Sequence, residues 1–216
     1  AGCNSNSDKP GGNKNAASEP IKGTFGYDVN FLNKYHKDII VLGDTAGAQV
    51  IVVPAYQGRV MTSTTEGNKG ISFGWVNHKL ISSGKTAEHM NAFGGEERFW
   101  LGPEGGQFSI YFKKGVEFKF DNWFVPKEID TEPFELVSST KYETTFKKEM
   151  HLENYSGNKF DLTVNRKIRL LDRASINTTL GFNDGEERKI PVFRKGIEEE
   201  FGNLWVLTSD TSISFM

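Results

Sequence analysis

The strongest constraint on this chain lies in its second half, where Phe160 to Leu171 alternates between apolar and polar residues. Phe160, Leu162, Val164, Ile168 and Leu170 fall on one side of an extended strand, while Asp161, Thr163, Asn165, Lys167 and Arg169 fall on the other. A period of two suits a strand with one buried and one wet face; a helix would scatter the same residues around its circumference. The preceding run, Tyr142 to Leu152, is also strand-like, and Tyr155-Ser156-Gly157-Asn158 supplies a turn between the two. Together they predict a long hairpin packed on one face. Arg166 interrupts the apolar side. Burying a guanidinium alone is expensive, so Arg166 must meet a partner, open into a cleft or snorkel at a sheet edge.

The remaining segments point the same way. Phe25, Val29, Leu32 and Tyr35 fit a short amphipathic helix with Asp28 near its start. Ile39–Leu42, Gln49–Val53 (ended by Pro54), Gly58–Ser63, Phe108–Phe112, Glu117–Phe120 and Phe134–Ser139 all read as strands. The chain has 17 Phe and 23 Gly but 7 Pro, a balance that suits strands joined by tight loops better than a helical bundle. Neither an internal repeat nor a linker divides the chain after residue 25. The expectation is one all-β sandwich domain over residues 21–216 with a short amino-terminal helix. Its pattern weakens after residue 180, where Gly181 to Glu200 is charged and poorly ordered in hydropathy. Leu204 to Phe215 is β-like again but meets no closing turn, so more sandwich is expected to follow Met216.

Several function classes are disfavoured. Lys and Arg total 26 against 28 Asp and Glu, with no long basic block, which argues against nucleic acid as a partner. The longest apolar runs, Ile39–Leu42 and Val50–Val53, are far too short to cross a bilayer. A single cysteine excludes an internal disulfide framework, and the absence of Cys/His pairs at ligand spacing excludes a structural zinc site. No loop has EF-hand spacing; no cofactor is expected, with Ca²⁺ the one ion the carboxylates leave open.

The amino terminus reads Ala1-Gly2-Cys3, and from Asn4 to Pro20 nothing apolar is larger than alanine. Such a stretch cannot offset its ordering entropy, so residues 1–20 read as a flexible tether. Ala-Gly-Cys resembles the last three positions of a bacterial lipobox, in which the cysteine receives a lipid after the signal segment is removed. The resemblance implies an exported lipoprotein, periplasmic or anchored to the outer membrane, that touches the bilayer only through lipidated Cys3. The plain alternative is an incidental cysteine near a trimmed terminus.

Chemistry-bearing residues concentrate between His89 and Gln107, a stretch containing Glu96, Glu97, Arg98, Trp100, Glu104 and Gln107 between the pairs Gly94-Gly95 and Gly105-Gly106. The segment has neither period, so it reads as a loop whose glycines allow close backbone approach. Gly-Gly-Glu-Glu puts negative charge where a phosphate cradle needs amides and lysine. Trp75, Asn77 and His78 add an indole, an amide and an imidazole nearby. An aromatic face beside carboxylates, guanidinium and amides is what a sugar ligand needs, and a carboxylate with a histidine can act as acid and base at an anomeric carbon. His78, His89 and Glu96 are the weak catalytic candidates. The plain reading keeps Phe99 and Trp100 as core, pairs Glu96 or Glu97 with Arg98, and lets the glycines turn the chain.

Gly47-Ala-Gln-Val-Ile-Val-Val-Pro-Ala-Tyr-Gln-Gly-Arg-Val60 resembles the early strand pair of galactose mutarotase-like (aldose 1-epimerase-like) proteins. Gly94-Gly-Glu-Glu-Arg-Phe-Trp-Leu-Gly-Pro-Glu-Gly-Gly106 is similar to a bacterial lipoprotein branch of that superfamily. Leu152-Glu-Asn-Tyr-Ser-Gly157 and Val164-Asn-Arg-Lys-Ile168 fit its long strands. The resemblance spans roughly residues 25 to 172. It implies an antiparallel β-supersandwich, whole or partial, with a sugar cleft on its concave face, and it adds Arg59 and Arg166 to Arg98 as family-like ligand positions. In mutarotases a carboxylate and a histidine open and reclose the sugar ring. That carboxylate lies late in the family's chain, past the end of this one, and neither His78 nor His89 aligns with the histidine. The resemblance therefore implies first a carbohydrate-binding lipoprotein, second an aldose 1-epimerase acting on a hexose, and third a structural or interaction protein that has lost the cleft. If Cys3 carries a lipid, Cys3→Ala releases the full-length precursor from membranes into the soluble fraction; continued membrane association would contradict lipidation.

Overall fold

The structure is a computed structural model that describes residues 20–171 and 206–215. Its strands form two antiparallel sheets. The first holds β1 (Ile40–Gly43), β2 (Gln49–Val53) and β3 (Arg59–Thr64) in that order; the second holds β4 (Glu135–Ser139), β5 (Glu143–Glu153), β6 (Lys159–Leu171) and β7 (Val206–Phe215). Among the described residues three short α-helices accompany them: α1 (Phe25–Tyr35), α2 (His78–Ser83) and α3 (Lys127–Asp130). The protein is thus mostly β-sheet with a short amino-terminal helix, as expected from its sequence.

The alternating stretch forms the β5–β6 hairpin, whose register runs unbroken from Glu143↔Arg169 to Glu153↔Lys159. Its turn is closed by Asn154, whose side-chain oxygen accepts from the Asn158 N–H at 3.0 Å, while Gly157 takes φ 85°. Phe146, Met150, Leu152, Leu162, Val164, Ile168 and Leu170 are buried on the inner face, and Asp161, Asn165 and Arg169 are exposed on the outer. β7 extends this sheet from Leu171↔Val206 to Leu162↔Phe215, so the β-like stretch near the end of the chain is a strand.

The inner face of the second sheet shares a core with Leu42, Val50, Val52 and Val60 of the first. The other face of the first sheet, carrying Ile51, Val53 and Met61, packs on Phe25 and Leu32 of α1 and Ile81 of α2. β2 is therefore covered on both sides and buried at every position, which is why it reads as a continuous apolar run with no alternation. α1 starts where the Thr24 hydroxyl accepts from the Tyr27 N–H at 3.4 Å.

Two expected strands are absent. Phe108–Phe112 and Glu117–Phe120 lie in turns and bends, followed by a 3-10 turn at Phe120–Asn122. Their aromatic rings pack on one another instead of lining a pleated face: Tyr111 stacks on Trp123 at 5.4 Å, and Phe112 meets Phe118 edge-on at 5.0 Å. Gly115, at φ 82°, turns the chain between the two runs. The tether with Cys3 and the charged stretch Gly181 to Glu200 lie outside the described residues. Among the described residues no helix is long and apolar enough to cross a membrane.

Phe146 is fully buried at the centre of the shared core. Phe146→Ala is expected to lower the stability measured by urea denaturation by about 3–5 kcal/mol. Val137→Ala, at a position 58% exposed on β4, should stay within about 0.5 kcal/mol of the parent.

Candidate functional site

The site begins at the turn into β3. After the 3-10 turn Pro54–Tyr56, Gln57 and Gly58 both take left-handed conformations, with φ 63° and 61°. A Cβ on Gly58 would lie 2.7 Å from the Phe146 ring, so only glycine lets this turn settle on the second sheet. The turn presents the Gly58 carbonyl to β6, where it accepts from Arg166 Nε at 3.2 Å. Arg166 Nη2 also donates to the Glu97 carboxylate. With its side chain 1% exposed, Arg166 takes the first of the three outcomes open to it: it is paired, across the two sheets.

Glu97 is placed by an isolated bridge to β3, in which Val60 N–H donates to the Glu97 carbonyl at 3.2 Å and Glu96 N–H donates to the Val60 carbonyl at 2.9 Å. The Gly94-Gly95 pair makes that path possible. A Cβ on Gly94 would stand 2.1 Å from the Trp75 carbonyl, and one on Gly95 would stand 2.8 Å from Arg59 Cδ; their φ values are 97° and 114°. The close approach expected of these glycines is real, and what approaches is the chain's own backbone and Arg59.

Arg59 lies beneath this segment, 1% exposed, donating to the Gly94 carbonyl at 2.9 Å and to Gln57 Oε1 at 3.3 Å. Both partners are neutral. Burial, followed by the like charge of Arg98, lowers its pKa to about 10. Arg98 donates to the Ile129 carbonyl at 3.3 Å and stands 3.8 Å from Asp130, so the expected pairing of Arg98 with Glu96 or Glu97 is not found. Glu97 is drawn instead to Arg166. Asp130 is fixed in turn by the Asn91 amide N–H and side chain, the latter at 2.7 Å. The guanidinium of Arg98 covers the Trp100 ring at 4.1 Å. Burial lowers the Arg98 pKa, and among the described residues the buried Nε atoms of Arg59 and Arg98 find no hydrogen-bond partner.

Trp100 belongs to the interior row of rings. Tyr111 packs on it at 5.2 Å and its Nε1 donates to Glu104 at 2.8 Å, which agrees with the core reading of this residue. Trp75 is different: its side chain is 62% exposed. Its carbonyl accepts from Gly95 N–H at 2.9 Å, next to Glu96, whose Oε1 accepts from the Ser63 N–H and hydroxyl, each at 2.9 Å. Phe73 N–H donates to the Ser63 carbonyl at 3.1 Å. The backbone of Phe73 and the carboxylate of Glu96 thus both meet Ser63 on β3. Desolvation raises the Glu96 pKa, against the pull of its two Ser63 hydrogen bonds.

The histidines hold structural partners. His78 Nε2 lies 2.7 Å from Asp28, which also accepts from the Ser72 hydroxyl, and its ring meets Phe31 edge-on at 4.4 Å. His89 Nδ1 lies 2.6 Å from the Trp123 carbonyl, with its ring stacked on Phe124 at 4.6 Å. Among the described residues, His78, His89 and Glu96 share no hydrogen bond. Asn77 caps α2 through the Leu80 N–H at 3.1 Å and donates to the Ala92 carbonyl at 2.9 Å, so its amide is committed to the fold. Gln107 meets the Ser156 hydroxyl through its carbonyl at 2.8 Å. Gln57, Asn91 and Asp130 were not singled out by sequence, although Gln57 lies inside the Gly47–Val60 stretch and Asn91 inside the His89–Gln107 segment. Among the described residues no group of three or more His, Cys, Asp or Glu is arranged to hold a metal ion.

Fold and site define a mostly-β domain with a buried arginine node between its sheets and an exposed indole, Trp75, outside. The chain belongs to a family of unknown function, DUF6786, which matches residues 23–195 and so takes in α1 and β1 through β6. No curated protein and no solved structure matches it.

Gly95→Ala is expected to cost about 1–3 kcal/mol in thermal or urea unfolding, through both its φ and the contact with Arg59. Gly105→Ala, where a Cβ meets nothing within 4 Å, should be close to neutral. Equal effects at the two positions would contradict the packing role of Gly95.

Proposed function

We propose that this protein is a carbohydrate-binding bacterial lipoprotein on a galactose mutarotase-like supersandwich. The observation that carries the reading is Trp75, a largely exposed indole whose backbone carbonyl accepts from Gly95 N–H, one residue before the exposed Glu96. The C–H face of a pyranose packs on such a ring, and a carboxylate accepts from sugar hydroxyls. Glu96 is steadied by Ser63, and the path that brings it there depends on Gly94-Gly95, so the pair is held ready with little ordering left to do on binding. The tether headed by Cys3 supports placement at a membrane surface.

An aldose 1-epimerase is the second reading. It is favoured by the raised pKa of Glu96, which suits a proton donor, but His78 and His89 each serve another partner. The third reading, an interaction protein without a sugar site, leaves the exposed indole of Trp75 without a role.

Calorimetry against a glycan panel tests the first reading. Trp75→Ala should weaken binding by at least about tenfold, ~1.4 kcal/mol, with the thermal midpoint nearly unchanged. Trp100→Ala should instead lower the midpoint. Unchanged affinity in Trp75→Ala would refute this placement of the site. α/β interconversion of a reducing sugar above the buffer rate, lost in Glu96→Gln, would favour the epimerase.

A further inference from the structure

Phe120 ends one of the two aromatic runs that are not strands, and its ring is 67% exposed. It is the outer member of a row of rings: Phe120 lies 6.1 Å from Trp123, and Trp123 stacks on the buried Tyr111. Phe124 is exposed as well. His89 meets both phenylalanines, its ring centre 4.5 Å from Phe120 and 4.6 Å from Phe124. Backbone hydrogen bonds fix the cluster: Val125 N–H donates to the His89 carbonyl and Phe124 N–H to the Tyr111 carbonyl, each at 2.9 Å. Little ordering is left for a ligand to impose.

Two polar atoms in this cluster are uncommitted. His89 Nδ1 faces the Trp123 carbonyl, which can only accept, so Nδ1 carries the proton and the neutral ring keeps a lone pair on Nε2. Among the described residues, buried side-chain nitrogens and oxygens without a partner occur on Gln49, Arg59 and Arg98 only. His89 Nε2 and Trp123 Nε1, which make no hydrogen bond among those residues, therefore both reach solvent. One acceptor and one donor are set into exposed aromatic surface. A purely hydrocarbon partner would leave both unsatisfied. An anion would meet the exposed carboxylates of Glu88 and Asp121, the sequence neighbours of His89 and Phe120. A neutral ring bearing hydroxyls meets every demand.

We propose that His89, Phe120 and Trp123 form a second sugar site, for a neutral pyranose. The C–H face of the sugar packs on the exposed Phe120 ring, one hydroxyl donates to His89 Nε2, and one sugar oxygen accepts from Trp123 Nε1. Phe124 backs the imidazole. That the ligand is a saccharide rests on the preceding reading; the site and the absence of charge on its ligand are new.

The test is titration of the whole chain with the methyl glycosides of glucose, galactose, mannose, xylose and N-acetylglucosamine, followed by proton–nitrogen NMR. The indole N–H signals of Trp75 and Trp123 report the two sites separately. At least one sugar should shift the Trp123 signal, with a dissociation constant raised roughly fivefold or more by Phe120→Ser and by His89→Asn. Asparagine can still donate to the Trp123 carbonyl but places no acceptor at Nε2, so both variants should keep a nearly unchanged thermal midpoint. A Trp123 shift that survives either substitution overturns the proposal, as does one that phenol produces and no sugar does. Should Trp75 move while Trp123 does not, this site falls and the carbohydrate reading stands. Should Trp123 move alone, this site stands and the Trp75 placement falls. Should neither move with any sugar, both fall.

Discussion

A guanidinium taken out of water between two sheets must be met by a counter-ion and by hydrogen-bond acceptors, and at Arg166 both come from the far side of the interface. Glu97 supplies the charge and the Gly58 carbonyl the second acceptor. One strand of the second sheet, the turn into β3 and the loop that begins at Gly94 therefore converge on one side chain. Such a pair adds little net stability over an apolar replacement, but removing one partner takes a counter-charge from the other. Its effect is positional: it sets where the loop carrying Glu96, Arg98 and Trp100 crosses the first sheet.

From that crossing, the polar residues of the loop divide into two groups. Glu97 and Arg98, with Arg59 below, turn inward, where Asp130, Gln57 and backbone carbonyls receive them. Glu96 stays outside, on Ser63. Within the inward group, Arg59 is fitted tightly against Gly95 and donates to the Gly94 carbonyl. The outward group keeps an indole exposed. A function that needs contact with another molecule belongs to the second group, and the first acts by holding it in place.

The sequence made the hairpin legible because alternation over a dozen positions admits one interpretation, and the residue that broke the pattern proved to be the one that ties the sheets together. β2 was legible for the opposite reason, as an unbroken apolar run between two covered faces. Phe108–Phe112 and Glu117–Phe120 misled because short aromatic runs look alike whether their rings line a strand or stack on one another. The partner of Arg98 was illegible, since Asp130 lies 32 positions away in sequence and on a helix of four residues. Adjacent charges suggested pairing within Glu96-Glu97-Arg98, yet in an extended segment neighbouring side chains point apart, and each of the three found its partner elsewhere. Trp75 and Trp100 are equivalent as letters; only burial separates the exposed ring from the packed one.

The dependence on Arg166 is measured most directly by a double-mutant cycle in urea: Arg166→Met, Glu97→Leu and the two together. The account predicts that each single change costs about 3–5 kcal/mol and that the double variant is more stable than the sum of the two losses by at least ~2 kcal/mol. Losses that add to within about 0.5 kcal/mol would show that the two side chains are not coupled, and that the loop is held across the sheets by something else.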